Sequence, residues 1–261
     1  MTEEARCYDL LRTVLVSVLL FLGAVSHTQA SSGDEMLKLG DGAYFGQGEP
    51  QSYSLALKHY RLAAEAGSVT AAHYVGFMLT QGLGTNVDYA EATLWLRKSA
   101  DKGHGPAQYM LGQHYHLGRG VKQSYQQAFK WYEAAAKKGF TLAKRELSLM
   151  FARGEGVGVN VAWAAYYAAQ ASAEGDSIAT QIIEQLLPHL PDFETNSDYT
   201  TLYEMPSFGA AKSAQVYEGS RLFQLDKIKA DWVVVYSPEA RRVAYLNIND
   251  LIPQQATAAG Q

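Results

Sequence analysis

The 261-residue chain is 48% hydrophobic and 18% charged, which excludes a disordered polar polymer and supplies enough apolar material for a packed core. Its formal net charge of −4 offers no basic excess to hold a phosphate backbone, so nucleic acid is excluded as a partner class. The single cysteine, Cys7, precedes the first apolar run, so the rest of the chain has no thiol for a disulfide or a thiolate metal site.

Residues 1–30 read as a secretory signal peptide. An apolar run from Val14 to Val25, broken only by Ser17 and Gly23, follows Arg6 and Arg12 and ends in Thr28-Gln29-Ala30, a small-x-small cleavage pattern. A membrane span needs about 20 apolar residues, more than this run provides. Glu3, Glu4 and Asp9 weaken the positive segment before it, so retention as an N-terminal membrane anchor stays open beside cleavage. Cleavage would leave a net charge of −3. A lipoprotein signal would place cysteine after the apolar run, which Cys7 does not do. An exported, cysteine-free chain suits a periplasmic or secreted bacterial protein.

A fixed period of 36 residues then takes over. Gly46, Gly82, Gly118 and Gly154 form one comb, Gly48, Gly84, Gly120 and Gly156 a second, and Gly67, Gly103, Gly139 and Gly175 a third. Self-similarity at this period marks a repeat architecture. The column Ser52, Asp88, Ser124, Asn160 holds good helix N-caps, and Glu91 and Gln127 three residues on predict capping boxes in two rows. Spacings of three, four and seven then place Ala56, Ala92, Ala128 and Ala164, the column His59, Trp95, Trp131, Tyr167, and the small residues Ala63, Ser99, Ala135, Ala171 on one helical stripe. The third glycine comb supplies the left-handed residue that ends each of these helices.

Another helix precedes each of them. Ala71, Val75 and Leu79, with their equivalents Ala107, Leu111, Tyr115 and Ala143, Leu147, Phe151, repeat every four residues as a buried stripe. Gly40, Gly76 and Gly112 allow close helix approach beside it, and Ser148 breaks that column. Pro106 falls in a first turn, where its missing N–H costs little. Each row is thus helix, Gly-x-Gly loop, helix and short glycine turn, from about Glu35 to Gly175. A further helix over Ser177–Leu187, stopped by Pro188 and Pro191, caps the array.

These columns resemble the Sel-1-like repeat, a relative of the tetratricopeptide repeat. The resemblance is carried by Ala107, Leu111-Gly112, Tyr115, Gly118, Gly120-Val121, Tyr125, Ala128, Trp131-Tyr132, Ala135-Ala136 and Gly139, and extends over residues 35–190. The first row departs from it with Ala43 in place of Tyr, and the fourth with Asn160-Val161 in place of Asp-Tyr. The resemblance implies a mainly α protein: a right-handed α-α solenoid of helix pairs that acts as a scaffold for protein partners or, in bacterial envelopes, for polysaccharide or cell-wall machinery. It transfers no catalytic residue.

After Pro191 the composition changes. Residues 191–206 read as a polar linker. Short β-like runs follow over Gln215–Tyr217, Arg221–Leu225, Trp232–Tyr236 and Val243–Ile248, the last two flanking Ser237-Pro238-Glu239-Ala240 as a hairpin. Asp231-Trp232, Val235, Tyr245-Leu246 and Asp250-Leu251 resemble half of a bacterial SH3-like barrel; a capping β-hairpin sheet stands beside that reading for residues 207–253. Residues 254–261 are expected to fray.

Chemical motifs give little. No Gly-Lys-Ser/Thr follows the Gly-x-Gly pairs, so they are loop punctuation and not a phosphate loop. His114 and His116 point to different faces of one helix, and no His-Glu-x-x-His occurs, so no metal or cofactor is expected. Ser99-x-x-Lys102 has the spacing of a serine–lysine pair, but Ser99 lies in the small buried column, and no Gly-x-Ser-x-Gly elbow exists. A non-enzymatic binding protein is the expectation. Its partner-binding residues are the variable ones on the inner, concave face that the resemblance assigns to the leading helices: Tyr44, His73, Phe77, Gln113, His116 and Arg145, with Asp41 and Leu149 beside them. A protein or peptide is the expected partner, with peptidoglycan or another glycan at the SH3-like module as the alternative, and a membrane only through an uncleaved N-terminal segment.

Overall fold

The computed structural model describes residues 33–48, 50–190, 192–194, 199–203, 212–217, 221–229, 232–238, 240 and 242–247. The expected signal peptide and the C-terminal tail lie outside the described residues. Among the described residues, no helix is long and apolar enough to cross a membrane. The chain is a mainly α solenoid of consecutive helix pairs followed by a small β module, as its period predicts. It divides into two compact units that part between Gln123 and Ser124.

The first unit contains α1 (33–45), α2 (Tyr53–Glu65), α3 (Val69–Gln81), α4 (Tyr89–Ala100) and α5 (Gly105–Leu117). The stripe Ala71, Val75, Leu79 is wholly buried, as are Ala56, Ala63, Ala92 and Ser99. Ser99 donates its hydroxyl to the Val69 carbonyl at 2.7 Å, so a polar side chain is accommodated in the small column without an orphaned proton. Gly40 and Gly76 sit where an added Cβ would fall 2.5 Å from the Tyr60 ring and 2.6 Å from Leu96. The large side chain of each trailing helix thus fills the hole that glycine leaves in the leading helix.

The N-cap column forms as predicted: Ser52, Asp88, Ser124 and Asn160 each accept from the backbone N–H three residues on. The capping box at Asp88 is only half made. The Asp88 N–H donates to the Leu79 carbonyl at 3.1 Å, and Glu91 turns away to Arg61 (2.8 Å) and to the Trp95 indole N–H (3.0 Å). Ser52 and Asn160 likewise donate their N–H groups to Ala43 and Phe151. The cap backbone is spent on tying the trailing helix to the leading one, which leaves nothing for a carboxylate at the third position to accept.

The second glycine of each loop has a separate task. Gly84 and Gly120, at φ +72° and +67°, press against the start of the trailing helix one repeat earlier. Gly48, in the first repeat, has nothing within 4 Å of where its Cβ would stand.

The second unit contains α6 (Tyr125–Lys137), α7 (Thr141–Arg153), α8 (Val161–Ala173), α9 (Ser177–Leu186) and a 3-10 turn at Leu187–His189. The β module follows, with strands β1 (Asp192–Glu194), β2 (Tyr199–Tyr203), β3 (Lys212–Tyr217), β4 (Arg221–Lys229), β5 (Trp232–Ser237) and β6 (Arg242–Asn247). They form one antiparallel sheet in the order β1-β4-β5-β6-β2-β3. The stretch 191–206, expected from composition to be a linker, therefore carries β1 and β2. The alternating Tyr199-Thr-Thr-Leu-Tyr203 run has the residue types of a strand, but polar and proline neighbours mask so short a signal.

Period-two alternation gives the sheet two apolar faces. Phe223, Leu225, Val234 and Tyr236 cluster with Ala165, Ala168 and Ala169 of α8 and Ile183 of α9. On the other face Leu222, Val233, Val235, Ala244 and Leu246 gather around Leu202 of β2. The sequence of α8 is adapted to this. Ala169 stands where the period places Arg61, Arg97 and Glu133, and Ala173 where it places Glu65, Asp101 and Lys137. Small apolar residues replace charges on the helix that receives a sheet.

Candidate functional site

The leading-helix residues singled out from sequence fall into two settings. Tyr44 of α1 and Phe77 of α3 are half-buried and pack against the same hydrophobic cluster, with Tyr44 also 6.3 Å from Tyr74. Asp41 accepts from the Tyr60 hydroxyl at 2.8 Å and so serves the interior. His73 lies 5.3 Å from the Tyr74 ring and 4.9 Å from the His104 ring. On α5, Gln113 donates to the Tyr109 hydroxyl at 2.9 Å, and His116 is half-buried, its carbonyl accepting from Gln123 at 2.8 Å. Tyr44 and Phe77 thus share one cluster and His73 turns to His104, with Gln113 and His116 on a later leading helix of the same unit.

Arg145 and Leu149 belong to the second unit. Arg145 Nη1 donates to Asp176 at 2.7 Å, and Nη2 lies 3.8 Å from Glu146. Asp176 also caps α9 through the Ala179 N–H. Arg145 is therefore a brace between α7 and the start of α9, its charge already balanced.

His114 behaves unlike its neighbour His116. It is 1% exposed, with Nε2 3.1 Å from Thr80 Oγ1 and Nδ1 2.7 Å from Thr93 Oγ1. Thr80 also donates to the Gly76 carbonyl and Thr93 to the Tyr89 carbonyl, each at 2.8 Å, so both ring nitrogens face a hydroxyl that is anchored to its own helix. The ring thereby links α3, α4 and α5. The sequence separates the two histidines onto different faces but shows no partner for either. Among the described residues, no three His, Cys, Asp or Glu side chains are arranged to hold a metal ion.

These histidines give the unit a definite response to acid. Burial, followed by the nearby Arg119, lowers the His114 pKa from 6.5 to about 4; burial, followed by His104, lowers that of His73 to about 4. Burial also lowers His104. His114 and His73 are neutral when folded and take up a proton on unfolding below pH 6.5. Their stabilising contribution is complete above that pH and is lost progressively as the pH falls toward 4, by about 1.4 kcal/mol per pH unit for each ring at the steepest. Urea unfolding at pH 7, 6 and 5 is expected to show this slope, with His114→Gln and His73→Gln each flattening it. A slope unchanged in both variants would assign the acid response elsewhere.

Comparison with known proteins agrees with the repeat geometry. The Sel1 repeat model matches residues 36–68, 69–104, 105–140 and 141–176, each window spanning a leading and a trailing helix. Among solved structures, the chain is 31% identical to a protective antigen of uropathogenic Escherichia coli that displays an SLR fold, over 60% of this chain and 34% of that one, with a TM-score of 0.59. It is 30% identical to a Sel1 repeat protein from Oxalobacter formigenes, over 59% of this chain and 63% of that one, with a TM-score of 0.56. The match spans about a third of the first of these and under two-thirds of the second. No curated protein matches. With the N-caps, the Gly-x-Gly loops and the glycine holes recurring in register with the matched windows, the chain belongs to the Sel1 repeat family.

Proposed function

We propose that this protein is a non-catalytic, exported scaffold whose leading-helix face binds a protein or peptide partner. The observation that carries this reading is internal to the chain. Positions that hold a helix, a turn or a close approach keep their residue type every 36 residues, whereas the columns Leu37, His73, Tyr109, Arg145 and Asp41, Phe77, Gln113, Leu149 change chemistry in every repeat. Asp41, Tyr109 and Arg145 of these columns serve contacts within the chain, so the reading rests on the half-buried Phe77, Gln113 and Leu149, whose differences suit a surface matched to an asymmetric partner. Half-buried aromatic and amide side chains such as Tyr44, Phe77 and Gln113 suit interface anchors, because much of their ordering cost is met before binding. Export rests on the N-terminal segment.

A photoreactive residue at Phe77 or Gln113 in intact cells is expected to give a discrete crosslinked product. The same residue at Lys58 or Lys130, on exposed trailing-helix positions, is expected to give none. Gln113→Ala combined with His116→Ala should reduce the yield at 77 several-fold. Products only at 58 and 130, or none at any site, would overturn the proposal. Retention of the purified protein on murein sacculi, insensitive to those two substitutions, would favour the glycan reading of the β module instead.

A further inference from the structure

We propose that the N-terminal end of the solenoid, formed by α1 and α2, is the interface of a two-fold homodimer. This end face is distinct from the concave face of the leading helices, and the proposal does not rest on the one made there.

A leading helix inside the array is covered on the side of the preceding repeat. The stripe position held by Val75, Leu111 and Leu147 is fully buried, and Val75 shares a cluster with Ala56, Tyr60 and Ala63 of the trailing helix before it. Leu39 holds the same position in α1 and is 46% exposed. The trailing helices give a matching comparison. Glu91 of α4 reaches back to Arg61 of α2, so its position faces the preceding trailing helix. Its equivalent in α2 is Leu55, 40% exposed, and Leu62, two turns on, shares that side and is 43% exposed.

A missing neighbour accounts for Leu39 but not for the other two leucines. The period places Glu91, Gln127 and Trp163 at the first of these positions and Lys98, Ala134 and Gln170 at the second. A terminal repeat that stays in water needs a polar outer side. Here the terminal repeat carries two leucines where the adjacent repeat carries two charges.

The fold and the sequence single out a second copy as the occupant. The opposite end is closed: Ala169 of α8 stands where the period places Arg61, and it packs among Phe223, Leu225 and Val234 of the sheet. The sheet thus covers the side that would receive a further repeat. Head-to-tail stacking has no free acceptor, and one open end per chain gives a closed, isologous pair. The N-terminal segment of the same chain is the wrong shape for this place. One period before α2, Leu20 and His27 stand where the trailing helices keep the fully buried small residues Ala56 and Ala63. The end face also exposes Glu35 and Lys38 beside Leu39, so a two-fold copy can set each charge against its opposite. Two 13-residue helices side by side form a face about 20 Å square, and the pair would bury on the order of 1,000 Å² in total. That is the lower limit of a specific interface, and the expected Kd is about 10 μM.

Sedimentation velocity on the exported chain is expected to show a monomer at about 1 μM and a dimer at about 200 μM. Leu55→Glu combined with Leu62→Lys gives α2 the residues that α4 carries at the same positions, so the helix tolerates them. The pair should raise the Kd at least tenfold and leave the helix content of the monomer unchanged. Ile178→Lys, which removes an exposed apolar side chain from α9, should leave the Kd as it was. A monomer at the higher concentration, a dimer insensitive to the paired substitution, an equal loss with Ile178→Lys, or growth beyond the dimer would each overturn the proposal. A monomer in which the amides of Leu39, Leu55 and Leu62 shift only when residues 1–30 are retained would give the face to that segment instead of a second copy.

Discussion

Gly120→Ala is expected to destabilise the protein by about 3–5 kcal/mol, against about 1 kcal/mol for Gly48→Ala. Both glycines hold equivalent places in the Gly-x-Gly loop, and both have positive φ, +67° and +84°. The backbone strain of an alanine is therefore common to the two. What differs is the surroundings. A Cβ at Gly120 would lie 2.0 Å from the Tyr89 carbonyl oxygen and 2.7 Å from the Ala90 nitrogen, whereas one at Gly48 meets nothing within 4 Å. The obstacles are backbone atoms in the first turn of α4 and cannot rotate away, so the loop and the helix must separate. Thermal unfolding should show Gly120→Ala lower by about 10 °C or more and Gly48→Ala by about 2–4 °C. Equal shifts would mean that the loop glycine serves only its own dihedral angle and does not set the contact between successive repeats.

That pair also shows where the sequence is legible. Caps, turns and glycine holes are local devices, so a column of four identical or similar residues reveals them without knowledge of the partner. The contact of Gly120 with Tyr89 joins different columns of two adjacent repeats, and a row-by-row reading cannot show it. The candidate site suffers from the same limit. His73 meets His104 and Arg145 meets Asp176, each pairing a leading helix with the residue that opens the next one. The sequence marks His73 and Arg145 as variable, but the partners that engage them sit 31 positions on, in a column that the repeat pattern does not single out. In the β module, β1 is three residues long and pairs with β4, so its signal is non-local. The docking of the sheet was visible and easy to overlook: in the alanine-rich run that includes Ala165 and Ala168, Ala169 and Ala173 break the charged outer face of the trailing helices.

The same run leads to the second large effect. Ala168→Leu is expected to cost about 3 kcal/mol, and most of that cost should return when Ser148→Gly is added. The period places Tyr60, Leu96, Tyr132 and Ala168 in one column and Gly40, Gly76, Gly112 and Ser148 in another, and Tyr60 and Leu96 fill the holes at Gly40 and Gly76. In the first unit a large side chain occupies the glycine hole; in the fourth repeat the hole is filled from the other side, by serine, and the large residue has shrunk to alanine. Ser148 and Ala168 are both fully buried, and the Ser148 hydroxyl has no hydrogen-bond partner, which marks it as a filler and not a polar anchor. Leucine at 168 would compete with serine for one space, and glycine at 148 would restore the arrangement of Gly76 and Leu96. Ser148→Gly alone should cost about 1 kcal/mol in helix propensity and lost packing, partly offset by removal of the orphaned hydroxyl. A double-mutant cycle by urea unfolding measures the coupling, expected at about 1.5 kcal/mol or more in favour of the pair. Ala168 also lies in the cluster beneath Phe223 and Val234, so a coupling near zero would identify the sheet, and not Ser148, as the reason this position is small.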